Sequence, residues 1–311
     1  MRAVVMREFG PPEVLEAAEV AEPGAGPGEV VIEAEFANVT FVETQIRAGR
    51  APHPSMLPAL PVILGNGTGG TVAGRRVVAS LNGTGGYAER VVADAGRLIE
   101  VPDELSLRDA VALLADGRTA LSLVGRAGLA AGETVLVEAA AGGVGTLLVQ
   151  LARQAGARVV ALAGQPGKLA LARDLGADLA VDYRDDDWPD SVREAAGQVD
   201  VVFDGVGGEV GRAAFGLLGT GGRFYPFGMA SGSFAPVTPE LATEHGVTLL
   251  RGGPANAEEA VALTRKALAE AAAGRLRPVV GQEFGLAEAS AAHAAIEARA
   301  TVGKTLLTVP R

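Results

Sequence analysis

Two stretches of this 311-residue sequence carry enough glycine to wrap backbone around a phosphate: VILGNGTGGTV at 62–72 and VLVEAAAGGVGTLLVQLAR at 135–153. Such binding needs a strand that ends, a turn that lets the backbone come close, and a helix whose first N–H groups point at the anion. The second stretch supplies all three. An apolar strand TVLVEA runs into Gly142, Gly143 and Gly145, and a helix from 143 is closed by Gly156. Ala141, Gly142, Gly143 and Val144 are therefore expected to hold a pyrophosphate, against the plain alternative of a glycine turn that merely joins strand to helix. The first stretch is followed by AGRRVVASL, which reads as a strand. With no helix dipole behind them, its glycines are expected to form a close-packed turn.

The next strand bears on which nucleotide is bound. A site for an unphosphorylated ribose usually carries an acidic side chain at the end of the second strand, about 20 residues past the glycines. Here that strand ends ALAGQPGK, and Ala163, Gly164 and Gln165 offer no carboxylate to repel a 2′-phosphate. Lys168 falls in the first turn of a helix begun at Pro166, where a cation opposes the macrodipole at a cost of about 0.3–1 kcal/mol unless an anion lies between. The pattern favours NADPH over the plain reading of a solvated surface lysine.

Groups able to deliver a proton are scarce. His245 precedes Gly246 at a helix C-terminus, where a cation is simply stabilised; His293 lies in an alanine-rich helix and reads as packing; His53, in APHPSM, reads as an exposed loop residue. The sequence has no cysteine, which removes disulfides and thiolate metal ligands and fits a reducing cytoplasm.

These residues need a scaffold, and the chain changes style along its length. Residues 1 to about 103 read as short strands, RAVVM, EVVIEAEFA, RRVVASL, AERVVA and RLIEV, separated by Gly and Pro clusters, hence a small antiparallel barrel or sandwich. NGTGG occurs at 66 and at 82, which two turns of similar composition explain. Ser106 with Asp109 opens a long helical run. From 133 to 251, six apolar strands alternate with helices from 143, 166, 187, 209 and 238, the pattern of a parallel sheet covered on both faces. A helix at 257–273, PVVGQEF, a further helix and KTLLTV are then surplus to that sheet and are expected to return to the first domain.

Composition excludes several classes. Hydrophobic residues make up 48% of the chain but aromatics only 4%, so stacking on nucleic-acid bases is not expected. The formal charge of −10, with no basic run to offset it, repels phosphate backbones and anionic membranes. No apolar run approaches the roughly 18 residues that a spanning helix needs.

EAAAGGVGTLLVQLARQAGARVV, LARDLGADLAVDY, FDGVGG and GGYAERVV together resemble the medium-chain dehydrogenase/reductase superfamily, specifically its zinc-free quinone oxidoreductase branch. The resemblance covers essentially the whole chain. It implies an α/β fold in which a Rossmann-type doubly wound parallel sheet accompanies a GroES-like, β-rich catalytic domain built from the N-terminal part and the C-terminal tail, with boundaries at 1–117, 118–251 and 252–311. Where the zinc enzymes of the superfamily carry histidine and glutamate, this chain has Asn66 and Gly67, so no metal is expected and the first glycine string is a relic of shape beside the active-site cleft.

The same resemblance puts Gly164, Lys168 and Tyr183 around the 2′-phosphate, and Val206, Phe227 and Gly228 at the nicotinamide. Thr40 and Thr119 are the catalytic candidates, as hydroxyls that polarise an acceptor oxygen, and Gln45 and Tyr87 are the substrate-binding ones. The segment NVTFVETQIRAGR departs from the family, which usually has asparagine at Thr40 and tyrosines at Gln45 and near Ala51; the plain alternatives are that Thr40 ends a strand and that Gln45 faces solvent. The implied activity is NADPH-dependent reduction of an activated acceptor, since a quinone or an enolate can take its proton from water. A quinone is the first choice and an enone or enoyl thioester the second, as in tailoring of a polyketide-like intermediate. A non-catalytic NADPH sensor would keep the same nucleotide site. The resemblance further implies a homodimer, paired through the domain edge near GGRFYPFGMASG.

Overall fold

The computed structural model describes residues 1–81 and 83–310; Asn82, with which the second NGTGG opens, and Arg311 lie outside the described residues. The chain forms two compact units, residues 1–118 with 261–311, and residues 119–260. The boundaries expected at 118 and 252 thus move to 119 and 261. Residues 252–260 stay with the second unit because the Tyr225 hydroxyl donates to the Gly252 carbonyl at 2.7 Å and Arg126 lies 3.9 Å from Glu259.

The first unit opens with β1 (Arg2–Met6), β2 (Leu15–Glu19), β3 (Glu29–Val39), helix α1 (Phe41–Arg47), β4 (Val62–Ile63), β5 (Gly67–Val72), β6 (Arg75–Ser80), β7 (Arg90–Asp94) and β8 (Ile99–Glu100). Helix α2 (Leu107–Ala127) follows, its start capped by the Ser106 hydroxyl, which accepts from the Asp109 amide at 3.0 Å.

The second unit contains β9 (Thr134–Val137), α3 (Gly143–Gln154), β10 (Arg158–Ala163), α4 (Pro166–Asp174), β11 (Leu179–Asp182), α5 (Trp188–Ala196), β12 (Val199–Asp204), α6 (Gly208–Phe215), β13 (Leu218–Pro226), α7 (Pro239–Glu244) and β14 (Thr248–Leu249). Its six strands pair in parallel in the order β11-β10-β9-β12-β13-β14. The central strands are buried on both faces, which is why they read as unbroken apolar runs. Leu136, Val160, Leu162, Val202 and Phe224 pack there with Trp188 and Phe215 from the helices. The strand order reverses between β9 and β12, and a crevice at the strand ends on either side of such a reversal is where α/β sheets take ligands. The segment expected at a dimer edge covers the end of β13, which is paired on both sides, and the residues after it; the edge strands of this sheet are β11 and β14.

The tail supplies α8 (Ala257–Ala272), β15 (Val280–Gly285), α9 (Ala289–Glu297) and β16 (Lys304–Thr308). β16 pairs antiparallel with β3, setting Leu306 against Asn38, and β15 extends the same sheet. The first unit therefore holds a seven-stranded sheet, largely antiparallel, beside the small sheet β2-β1-β4.

The glycine string at 62–72 is not the expected turn. Gly65 does turn, with φ +102°, but Gly67–Val72 is strand β5. Its glycines answer to packing: a Cβ on Gly70 would stand 1.9 Å from the Glu33 carbonyl oxygen of β3, and one on Gly69 2.3 Å from Val111 of α2. Gly70→Ala must separate β3 from β5, and urea unfolding is expected to show a loss on the order of 1–3 kcal/mol or more, whereas the open-space change Gly125→Ala leaves stability nearly unchanged or raised.

Candidate active site

In the second unit the decisive contact is one that a side chain would prevent. After β9 the backbone turns through Ala139, a non-glycine residue at φ +47°, and the Gly142 amide donates to the Ala139 carbonyl at 2.8 Å. A Cβ on Gly145 would lie 2.2 Å from that same carbonyl oxygen. Only glycine lets the first turn of α3 press this closely on the turn that precedes it. The N-cap, Gly142, has no side chain to offer, and the first turn contains no acid. The amides of Gly143, Val144 and Gly145 are thus left without an intrahelical acceptor at the positive end of a 12-residue helix. The Ala141 side chain is buried, so its backbone alone is available there.

The adenosine end lies at the tips of β10 and β11. Gly164 is buried, and a Cβ on it would sit 3.1 Å from Arg184 Cδ. Gln165, at φ +112°, caps α4, and Lys168 stands half-buried in its first turn. Tyr183 follows β11 directly. Sequence reasoning found no carboxylate at the end of β10 but missed that β11 brings one alongside: Asp182 Oδ2 accepts from the Gln165 amide at 3.4 Å. Arg184 grips that carboxylate, Nε to Oδ1 at 2.9 Å and Nη2 to Oδ2 at 2.5 Å, and holds it well below the usual carboxylate range. The run VDYR carried the signal.

Val206, Phe227 and Gly228 come together around Gly205. A Cβ on Gly205 would meet the Phe227 ring at 2.8 Å, and one on Gly228 would meet the Gly205 carbonyl oxygen at 2.5 Å.

The first unit carries a separate polar constellation. Thr40 is the N-cap of α1, and its amide and hydroxyl donate to Glu43 Oε2 at 2.6 and 2.9 Å. Glu43, which sequence reasoning passed over, is buried, and its other oxygen accepts from the Asn66 amide at 2.7 Å. Gln45 does not face solvent: it is buried, with its amide nitrogen donating to Thr44 Oγ1 at 3.1 Å. Tyr87, expected against substrate, is instead a core residue with no exposed surface; its hydroxyl lies 3.3 Å from Glu43 Oε2 and 3.0 Å from His293 Nε2. His293 is likewise more than packing, because it closes this line. His53 is exposed and hydrogen-bonded to Ser55, and His245 bonds the Leu241 carbonyl at the end of α7. Thr119 lies half-buried in α2, at the start of the second unit. Asn66 Oδ1 accepts from the Gly83 amide at 2.9 Å. Among the described residues no group of three or more His, Cys, Asp or Glu is arranged to hold a metal ion, and no helix is long and apolar enough to cross a membrane.

A family model described as zinc-binding dehydrogenase matches residues 143–265. A quinone oxidoreductase of Pseudomonas aeruginosa is 30% identical, over 96% of this chain and 97% of its own. The chain belongs to the quinone oxidoreductase branch of the medium-chain dehydrogenase/reductases. A 2-haloacrylate reductase of a Burkholderia species is 31% identical over 99% of this chain and 98% of its own. A mycobacterial protein solved in complex with NADPH superposes with a TM-score of 0.90 at 34% identity, covering 99% of this chain and all of that one.

In this quinone oxidoreductase-type chain the turn bearing Val206 is pinned by two buried acids on adjacent strands. Glu138, just past β9, accepts from the Val206 amide at 3.0 Å; Asp204, at the end of β12, accepts from the Gly207 amide at 2.6 Å. Each has one further oxygen without a partner, Glu138 Oε1 and Asp204 Oδ2. Burial raises both carboxyls, and the neighbouring Asp204 raises Glu138 further, so each favours its protonated form more than a free carboxyl does. A carboxyl that keeps its proton more tightly folded than unfolded stabilises at low pH and loses that contribution as pH rises through its raised pKa. Glu138→Gln keeps a donor toward Asp204 and an acceptor for Val206. It is expected to flatten the fall in urea-unfolding stability as pH rises above the ordinary carboxylate range, while Glu138→Ala costs about 1–3 kcal/mol at the acid end of that range.

Proposed function

We propose that this enzyme reduces an activated acceptor, a quinone first and a conjugated carbonyl second, with hydride from NADPH. The observation that carries the reading is the close approach at Gly145, which leaves the amides of Gly143, Val144 and Gly145 open to a pyrophosphate. The residues beyond fit a phosphorylated ribose. No acid stands at Ala163–Gln165, Asp182 is neutralised by Arg184, and Lys168 occupies a helix first turn where an anion offsets its misplacement. The relatives' names, quinone oxidoreductase and 2-haloacrylate reductase, both point to acceptors with an activated double bond.

Bound NADPH supplies the hydride; the chain's own part is to hold and to polarise. The turn at Val206 and the Phe227–Gly228 segment, packed on Gly205, bound the nicotinamide end. The half-buried Thr119 hydroxyl, in the same unit as these residues, is assigned to the acceptor oxygen.

Removing a charged hydrogen bond to phosphate costs about 1.5–3 kcal/mol, so Lys168→Ala is expected to weaken NADPH binding by about 10–100-fold while leaving NADH binding unchanged. Fluorescence titration with each nucleotide decides this; equal losses for both overturn the 2′-phosphate assignment. Loss of reduced-nicotinamide absorbance with a panel of quinones and enones tests the activity. Binding without turnover across the whole panel contradicts it.

A further inference from the structure

Strand β10 ends without an acid, yet a carboxylate stands at its level. β10 and β11 pair in parallel with Ala163 opposite Asp182, and residues opposite one another in a sheet project to the same side. The end of β10 is where a site for an unphosphorylated ribose carries its acid. Asp182 offers the same group from the neighbouring strand. The Gln165 amide, at the N-cap of α4, donates to Asp182 Oδ2 at 3.4 Å and ties the carboxylate to the turn after β10. Left bare, such a carboxylate suits ribose hydroxyls and repels a 2′-phosphate.

Arg184 changes what this corner presents. Its Nε donates to Asp182 Oδ1 at 2.9 Å and to Oδ2 at 3.1 Å, and its Nη2 donates to Oδ2 at 2.5 Å, so both oxygens are engaged. The Arg184 amide adds a further bond to Oδ1 at 3.0 Å. Gly164 makes room for the approach: a Cβ there would stand 3.1 Å from Arg184 Cδ and 3.2 Å from Nε. The Arg184 side chain is 55% exposed and that of Asp182 only 14%, so the guanidinium faces outward and the carboxylate lies beneath it. Asp185, Asp186 and Asp187 follow, and Arg184 is the only cation of residues 182–187. Without it the loop after β11 is wholly acidic. The guanidinium holds Asp182 well below the usual carboxylate range, so the carboxylate stays charged at neutral pH whenever the arginine leaves it.

Given the NADPH binding proposed above, on which this rests, we propose that Arg184 determines the nucleotide preference of this chain by covering Asp182. With the arginine in place the corner accepts a 2′-phosphate, and without it the bare carboxylate rejects one. All the residues involved belong to the second unit. Arg184 acts here through Asp182, which separates its role from that of Lys168, the cation assigned to the phosphate itself.

Fluorescence titration of wild type, Arg184→Ala, Asp182→Asn and the double variant with NADPH and with NADH is the test. A phosphate monoester carries nearly two charges, and repulsion from one uncovered carboxylate at an exposed corner is worth about tenfold in affinity. Arg184→Ala should therefore weaken NADPH binding by about tenfold and leave NADH binding undiminished. Asp182→Asn, which keeps an oxygen to accept from the Arg184 amide, should bind NADPH at least as tightly as wild type. The double variant should return NADPH affinity to within about threefold of wild type, because the charge that the arginine covers is gone. An arginine that only contacted phosphate would leave the double variant as weak as Arg184→Ala, and that result overturns the proposal. So does an Arg184→Ala protein that weakens both nucleotides equally or neither. Thermal melting checks that the variants fold; if Arg184→Ala does not, Arg184→Gln carries the same comparison with and without Asp182→Asn. Wild type that prefers NADPH while every variant keeps that preference overturns the role of Arg184 alone. Wild type that binds neither nucleotide, or NADH more tightly, overturns the NADPH reading and this proposal with it.

Discussion

A missing methyl group at residue 145 governs what the second unit can bind. A Cβ there would meet the Ala139 carbonyl oxygen at 2.2 Å and push α3 away from the strand that feeds it. With glycine, the helix starts directly at the turn, and three amides have no intrahelical acceptor where the strand order reverses between β9 and β12. The rest is arranged to keep that turn in place. Glu138 ties its base to Val206, Asp204 holds Gly207, and the amides of Glu138 and Ala140 donate to the carbonyls of Phe203 and Leu162 on the flanking strands.

The chain as a whole repels anions, with a net charge of −10, so a phosphorylated nucleotide must be held by local fields. Amides without an intrahelical acceptor at a helix start, Lys168 in another first turn, and an arginine that offsets the Asp182 carboxylate provide them. The buried acids follow the same logic. Glu138 with Asp204, and Glu43 in the first unit, are removed from water, where the charged form is costly and a retained proton is the cheaper state. In the second unit the two carboxyls hold a turn. In the first unit Glu43 accepts from the Thr40 amide and hydroxyl.

Much of this is legible in the sequence. The alternation of apolar strands with helices gave the parallel sheet, and the strand-glycine-helix context singled out Gly142, Gly143 and Gly145 from the other glycine string. Residues 67–72 were misread as a turn because glycine there marks backbone close to β3 and α2, a contact that only the tertiary structure shows. Tyr87 and Gln45 looked like pocket residues, yet burial turns both inward; polar side chains on short elements give no pattern that separates a pocket wall from a core network. Glu43 was hidden for the same reason, since a carboxylate three residues after a threonine reads only as a cap. Asp182 escaped because the strand that carries it follows β10 in sequence but lies beside it in space.

The grip of α3 on a pyrophosphate can be observed directly. In an amide correlation spectrum of the isotopically labelled protein, titration with NADPH must shift the resonances of Gly143, Val144 and Gly145 in step with occupancy. Saturating NADPH that leaves all three unmoved while amides elsewhere shift contradicts the assignment of the nucleotide to this helix.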